Sequence, residues 1–599
     1  MPHSQKYRAH DVLREDRVDG SILLRAAGEM SAPVDKTTDW LEKWSNKTPD
    51  QVFLAERSGE GWHEVSYQSA AEQVGAIAAA LLGLGLGKGT PILVLSGNSV
   101  RHGLLTLAAQ MVGIPTVPIA EQYSLIPSAH GQLDYFVGLT RPVLVYAEDQ
   151  ARFSAALAHP AFDDLLKVVG KGAGPGFLSF DDLLAGDAGV DLVASASEVG
   201  PDAVVKILTT SGSTSAPKGV ATTHRMMCAN QAQVADALPF LNMRPPVLMD
   251  WLPWNHVFGG SHNFNLALAN GGSLYIDFGK PVQALVGTTI ENIRLKSATI
   301  AFNVPVGFGF LRDAMKADKK LREAYFRDLD MLFYAGASLP QDIWSDLEDM
   351  AREIRGDLPM FTSSWGLTET APAVLLQHEP TDRSGVVGVP VSGTTIKLVP
   401  DDEGRVEVRV KGPQIFKGYL DDPKKSAEAF DDEGFFVSGD MMAFVDPEDM
   451  NKGLRFLGRI SEDFKLTSGT WVRSALLRLE LLKELSPFVA DLVVCGEGRS
   501  EIGLLLFLSP EGQAIAGQGT GGVFHDAALF EALSARLNAR KSAGSAARIA
   551  RVIVAAAPPD IATGEVTAKG NLNFRKLLKT RKELVARLFD ASDPHVLKL

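Results

Sequence analysis

Residues 209–219, TTSGSTSAPKG, place a run of hydroxyl side chains and a glycine just before Pro217 and a single cation, Lys218. Small residues let backbone N–H groups and side-chain O–H groups approach phosphate oxygens closely, and a lysine adds charge. This is not the G-x-x-x-x-G-K-[ST] loop, because no Gly-Lys-Ser/Thr follows. A ligand-free surface loop rich in Ser and Thr has the same composition, so this stretch alone leaves both readings open. What flanks it is more definite: VVKILTT (204–210) is an apolar run of strand type, and GVATTHRMMCANQAQVADAL (219–238) reads as a short strand followed by a helix. His224 and Cys228 fall on that strand and helix and are read as structural. Cys228 and Cys495 are the only two cysteines, and neither has metal-ligand spacing; this points to a reducing compartment.

The elements that must carry such a loop alternate along the chain. SYQSAAEQVGAIAAALLGLGL (66–86) and NSVRHGLLTLAAQMVG (98–113) have apolar residues at helical spacing, with Asn98 and Ser99 as candidate caps. TPILVLSG (90–97), IPTVPIA (114–120) and PVLVYAED (142–149) are short apolar runs of buried-strand type. This alternation predicts an α/β fold with largely parallel sheets. Around 393–420 the pattern changes to one of alternation and turns, predicting a small antiparallel or barrel-like piece. A smaller α+β pattern then follows, with helices near 475–485 and 526–540 and strands at DLVVCG and IGLLLFLS. The expected division is a large N-terminal domain over 1–460 and a smaller C-terminal domain over 461–599.

At 599 residues the chain is long for one core, and 45% hydrophobic with 22% charged residues is ordinary globular composition. The net charge of −13 argues against a nucleic-acid or anionic-membrane surface, though not against a small anionic substrate held at a local positive site. The polar N-terminus MPHSQKYRAHDVLRED has no signal-peptide pattern, and apolar runs stay short of the roughly 20 residues of a membrane span. A cytoplasmic protein without a membrane span is expected.

Four further blocks give the loop a context. LPWNHVFGG (252–260), FYAGASLP (333–340), SSWGLTET (363–370) and FVSGD (436–440) follow it in order, and GRISEDFKLTSG (458–469) comes after them. Together with TTSGSTSAPKG they resemble the signature segments of the adenylate-forming superfamily, which includes acyl-CoA synthetases, peptide-synthetase adenylation domains and luciferases. LSGNSVRHGLLTLAAQMVGIPTVPIAEQYSL (95–125) and GRISEDFKLTSGTWV are similar to feruloyl-CoA synthetases.

The resemblance implies a two-step reaction: a carboxylate attacks the α-phosphorus of ATP and expels pyrophosphate, then the thiol of coenzyme A displaces AMP from the acyl-adenylate. It also implies site residues. Thr210, Ser211, Gly212, Ser213, Thr214 and Lys218 would hold the β- and γ-phosphates, Thr368 would contact phosphate, and Glu369 would bind Mg²⁺. Asp440 would accept from both ribose hydroxyls, Arg459 would reach the ribose or phosphate, and Gly336 and Ala337 would line the adenine slot through their backbone. His256 would border or gate the acyl pocket. Trp365 stands where relatives often carry tyrosine beside the adenine or acyl group, so stacking survives without a phenol hydrogen bond. Each has a plain structural reading beside it: a solvated loop carboxylate, a turn aspartate, a surface arginine, a core tryptophan.

Two positions depart from the family. Its C-terminal Gly-Lys pair is replaced in GEVTAKGNLNFRK (564–576), where Asn571 follows Gly570; Lys569 is the candidate catalytic cation, with Arg575 and Lys576 as rivals. At the hinge, Ser461 stands where many relatives have Asp or Lys, and a small residue can still absorb a backbone change. The implied partners are a small carboxylic acid (ferulic or another hydroxycinnamic acid), ATP and CoA, with a homodimer admissible. The alternatives are a ligase for another aryl or medium-chain fatty acid, transfer to a separate carrier protein, since no carrier domain is expected after residue 599, and an ATP-binding regulator without turnover.

Overall fold

The structure, a computed structural model, describes residues 6–599 apart from 188, 211–216, 337, 403, 518, 541–543, 561–562 and 566–571. Its largest sheet has a parallel run in the spatial order Met360–Gly366, Met331–Tyr334, Ile300–Asn303, Val247–Asp250, Ser273–Ile276, Val52–Ser58. Every residue of Ser273–Ile276, Ile300–Asn303 and Met331–Tyr334 is buried, as strands covered on both faces require. The second sheet contains Val204–Thr210, Thr116–Pro118, Ile92–Leu95, Leu144–Ala147 and Leu166–Val169, joined in parallel, and Lys218–Thr223 closes its edge as an antiparallel hairpin with Val204–Thr210. The two strands and the helix predicted around residues 204–238 are therefore present, with His224–Ala237 as the helix.

The helix Val100–Met111 touches strands of both sheets and buries almost its whole length, so it lies between them. Ser99 caps it by accepting from the His102 N–H at 3.0 Å. Asn98, also a candidate cap, does something else: its Nδ2 donates to the Leu252 carbonyl and its Oδ1 accepts from the Trp254 N–H, both at 3.0 Å. A side chain between the two sheets is thus spent on fixing the segment ahead of His256. His224 is structural, as read: its Nδ1 accepts from the Thr37 N–H at 3.2 Å, which leaves Nε2 to donate to the Gln110 carbonyl at 3.1 Å. Burial pushes its pKa down to about 4 and raises that of the Cys228 thiol.

Beyond Met360–Gly366 the sheet turns antiparallel through Ala373–Leu376, Val386–Pro390, Leu454–Arg459, Phe436–Phe444, Val406–Lys411 and Thr395–Pro400. The antiparallel piece expected at 393–420 is there, hydrogen-bonded through its neighbours to the parallel strands. An N-terminal hairpin, Val12–Asp16 and Ile22–Ala26, extends it by pairing with Thr395–Pro400. The sequence gives little sign of this hairpin because its first strand, VLRED, is mostly exposed and charged.

The C-terminal part is α+β. Val489–Cys495, Ile502–Leu508 and Ile549–Ala555 form its sheet, with helices Ser474–Leu485, Ala527–Leu537, Phe574–Thr580 and Lys582–Leu588 packed on it. Among the described residues, no buried cluster joins side chains before Leu454 to side chains after Phe464. No helix of the described residues is long and apolar enough to cross a membrane.

Candidate active site at the carboxyl ends of the parallel strands

In an open parallel sheet, ligands bind outside the carboxyl ends of the strands. Here those ends present Asp250, Asn303, Tyr334 with Gly336 beyond it, and Trp365. Gly366, the glycine of SSWGLTET, is required sterically: a Cβ there would lie 1.7 Å from the Pro372 carbonyl oxygen. That close return of the chain places the single turn Thr368–Thr370 beside the strand end and buries Glu369.

Glu369 is held by a residue the sequence did not flag. The Tyr419 hydroxyl donates to Glu369 Oε1 at 2.8 Å, and Lys218 Nζ lies 4.2 Å from the centroid of the same ring. Tyr419 reaches this position because its backbone bridges Val220, while the Leu420 N–H donates to the Gly219 carbonyl at 2.8 Å. Lys218 itself pairs across the hairpin with Thr210, at the mouth of the hydroxyl-rich loop. Burial, with the Glu369 carboxylate second, raises the Tyr419 pKa and keeps its proton in place as a donor. No local spacing marks Tyr419; it joins the site only through strand pairing.

The second carboxylate is Asp440, buried on the strand Phe436–Phe444 directly opposite Arg459. Gly439 before it has φ +71°, a backbone conformation side chains disfavour. Asp440 Oδ2 accepts from the Trp365 indole N–H at 2.8 Å, while Oδ1 faces Arg459 Nε at 3.2 Å and makes no hydrogen bond. Burial raises its pKa, opposed by Arg459 and then by the Trp365 hydrogen bond; Glu369 adds a further upward push, which places the two carboxylates in one field. Trp365 thus does make a hydrogen bond, to a carboxylate rather than through a phenol. A buried carboxylate oxygen that is ion-paired with Arg459 but makes no hydrogen bond fits a ligand hydroxyl.

Among the described residues no group of three or more His, Cys, Asp and Glu side chains could hold a metal. Glu369 Oε1 accepts from Tyr419, so a hard cation at this carboxylate would need other oxygens, such as those of phosphate, to complete its shell. Gly336 follows the strand Met331–Tyr334 with φ +88° and is exposed, as a backbone wall requires. Thr368 is half-buried beside Glu369. His256 lies in a turn, its N–H donating to the Pro253 carbonyl at 3.1 Å and its carbonyl accepting from the Gly260 N–H at 2.8 Å. That turn opens a π-helix, Phe258–Asn263, a form that recurs at functional sites. Lys206 Nζ, fully buried, holds it from below through the Gly260 carbonyl at 2.5 Å, and burial lowers the amine to about 8.

Ser211, Gly212, Ser213, Thr214, Ala337 and Lys569 lie outside the described residues. Of the two rivals of Lys569, Arg575 donates to the Ser461 carbonyl at 3.0 Å, while the Lys576 N–H donates to the Asn573 side chain at 3.2 Å, capping a helix. Glu565, just before 566–571, is tied to Arg581 by contacts of 2.8 Å on both carboxylate oxygens.

The profile described as "AMP-binding enzyme" matches residues 41–420, and that described as "AMP-binding enzyme C-terminal domain" matches residues 464–593. The chain belongs to the AMP-binding enzyme family. It is 30% identical over 441 residues to 4-coumarate–CoA ligase 2 of Oryza sativa subsp. japonica, covering 70% of this chain and 73% of the rice protein. It is 25% identical over 508 residues to the long-chain-fatty-acid–CoA ligase FadD15 of Mycobacterium bovis, covering 77% and 80%. The crystal structure of the anthranilate CoA ligase AuaEII with anthranoyl-AMP superposes with a TM-score of 0.74 at 21% identity, over 92% of this chain and 98% of that one, and so shares its fold.

Proposed function

We propose that this family member is an ATP-dependent acid–CoA ligase for an aromatic acid of the hydroxycinnamic class, working through an acyl-adenylate. The observation that carries the nucleotide half is the buried Asp440, whose Oδ2 is fixed by Trp365 and whose Oδ1 makes no hydrogen bond. A ribose hydroxyl can donate to that oxygen without displacing Trp365. Lys218 and the hydroxyls at 210–214 would hold the β- and γ-phosphates. The fixed cation stabilises charge that grows on the leaving pyrophosphate, and no covalent enzyme intermediate is needed. Glu369 fits as a ligand for Mg²⁺, which would supply further neutralisation of phosphate charge. Lys569 is the candidate cation between the acid carboxylate and the α-phosphate. Domains of 1–460 and 461–599, hinged at Ser461, would let the second half-reaction bring the CoA thiol to the acyl carbon.

Support for the acid class comes from the similarity to 4-coumarate–CoA ligase and from the aromatic side chains Phe258, Phe302 and Phe333, which pack beside the His256 turn. Incubation with ATP, Mg²⁺, CoA and a mixture of ferulate, coumarate, benzoates and fatty acids, read by mass spectrometry, tests it. Feruloyl- or coumaroyl-CoA as the dominant product is expected. A dominant fatty acyl-CoA, the activity named for FadD15, would keep the mechanism and overturn the acid; bound ATP with no thioester would overturn the ligase.

A further inference from the structure

Where the antiparallel end of the large sheet meets the smaller part, the structure holds a cavity of about 480 Å³. That falls in the roughly 300–1,000 Å³ range of small-molecule sites. Its floor is a face of the sheet: Ile22 pairs across strands with Leu398, and Ala443 with Arg455, and all four line it. Leu398 and Met442 are buried in the floor, while Ile22 and Phe444 are only half-buried. Arg473 and Leu476, at the start of the helix Ser474–Leu485, supply the wall that belongs to the smaller part. The rim is open to solvent, because Arg455 and Arg473 are exposed. Neither Glu369 nor Asp440 lines it.

The charge of this cavity runs against that of the chain. Net charge is −13, yet among the described residues the lining holds three arginines, Arg405, Arg455 and Arg473, and no carboxylate. Arg405 is engaged: it is paired with Asp401 at 2.6 Å and lies over the Trp471 ring at 4.3 Å. The side chains of Arg455 and Arg473 make no hydrogen bond or ion pair among the described residues. Asp463 lies in the field of Arg405 and Arg473 but outside the lining. An apolar floor under a rim of unpaired guanidinium groups has the chemistry to take a molecule with a greasy body and an anionic end. Guanidinium N–H pairs match carboxylate and phosphate oxygens, and methionine adapts to chains of varied shape.

We propose that this cavity binds a small amphipathic anion, an apolar chain ending in a carboxylate or phosphate, with its body on Leu398 and Met442 and its charge at Arg455 and Arg473. The site is separate from the one at the carboxyl ends of the parallel strands and holds whichever acid is activated there. Its walls come from both parts of the chain. A ligand that touches both binds this arrangement better than one that carries Arg473 away from Arg455, and so favours it. The occupant is therefore an effector of the domain arrangement.

Photolysis of the full chain with a decanoate analogue that carries a diazirine on its chain, followed by mass spectrometry of the labelled peptides, tests the site. Labels are expected on residues 441–444 and 473–476. Unlabelled decanoate or decyl phosphate should compete, the stronger of the two naming the anionic end, and decanol should compete about 10-fold more weakly or worse. Arg455→Gln with Arg473→Gln should lower labelling of both segments about 10-fold or more, and Arg455→Lys with Arg473→Lys should recover part of it. Both side chains are exposed, so an unchanged melting temperature is expected to show that the variants fold. Labels confined to other segments, competition by decanol equal to that by decanoate, or labelling that the glutamine variant leaves unchanged would each overturn the proposal.

Discussion

At the scale of single residues, the site is two buried carboxylates, each oriented by an aromatic donor. Taking a carboxylate out of water costs several kcal/mol unless donors compensate, and Trp365 and Tyr419 supply those donors to Asp440 and Glu369. The two should be separable by kinetics. Trp365→Phe keeps a ring but removes the indole N–H; KM for ATP should rise about 10-fold or more with kcat less affected, as expected for loss of a hydrogen bond to a charged group that serves binding. Tyr419→Phe keeps the ring under Lys218 but releases Glu369, so the Mg²⁺ concentration for half-maximal rate should rise about 3- to 10-fold, while KM for the acid stays put. An unchanged Mg²⁺ requirement would assign Tyr419 to packing alone. Lys569→Ala is expected to slow adenylation by a factor on the order of 10² to 10³, the scale of one lost transition-state donor, in a pyrophosphate-exchange assay. Unaltered exchange would remove Lys569 from the mechanism.

At the scale of elements, the proposed acid side depends on how one irregular turn is held. Asn98, Lys206 and the Asp250–Asn263 pair brace residues 252–263 from different strands and helices. Asp250 carries a measurable cost. Burial raises its pKa to about 7, against the Asn263 and Leu252 hydrogen bonds that lower it. The folded state therefore keeps a proton that the unfolded chain releases near pH 4, and the stability it contributes is lost as pH rises from about 4 through 7. Asp250→Asn cannot titrate, so its melting temperature should fall less between pH 5 and pH 7.5 than that of the unaltered protein; parallel falls would exclude Asp250 as the source. The Asp277 carboxyl, also raised by burial, retains part of the slope in both. The elements also show what the sequence could reveal. Lys218, Glu369 and Asp440 are legible because each sits in a short block whose neighbours fix its local geometry. Tyr419 and Lys218 are about 200 residues apart and meet only through the Val220 bridge. Asn98 reads as a cap from its position, whereas tertiary partners beyond the helix claim its side chain.

At the scale of the whole molecule, the two parts are separately cored, and the link between them is narrow. The strand Leu454–Arg459 belongs to the large sheet, while the next buried apolar side chain of the smaller part is Phe464. A link with so little buried between its ends can change direction without breaking either core. Arg459 ties its near end to Asp440 at 3.2 Å, and Arg575 of the smaller part holds the Ser461 carbonyl at 3.0 Å. The Arg575 contact can exist only in arrangements that bring its helix against the link, so it favours this arrangement over others. If the two half-reactions use different arrangements, removing it must move them in opposite directions, because a population taken from one state is given to the other. Arg575→Ala should therefore change the ratio of adenylation rate to thioester-forming rate by about 3- to 10-fold, the weight of one hydrogen bond at an exposed position. Pyrophosphate exchange reads the first rate, and single-turnover transfer from pre-formed acyl-adenylate to CoA reads the second. Equal losses in both would make Arg575 a plain stabiliser of the fold, and loss of exchange alone, by a factor near that of Lys569→Ala, would make it the cation that acts on the carboxylate.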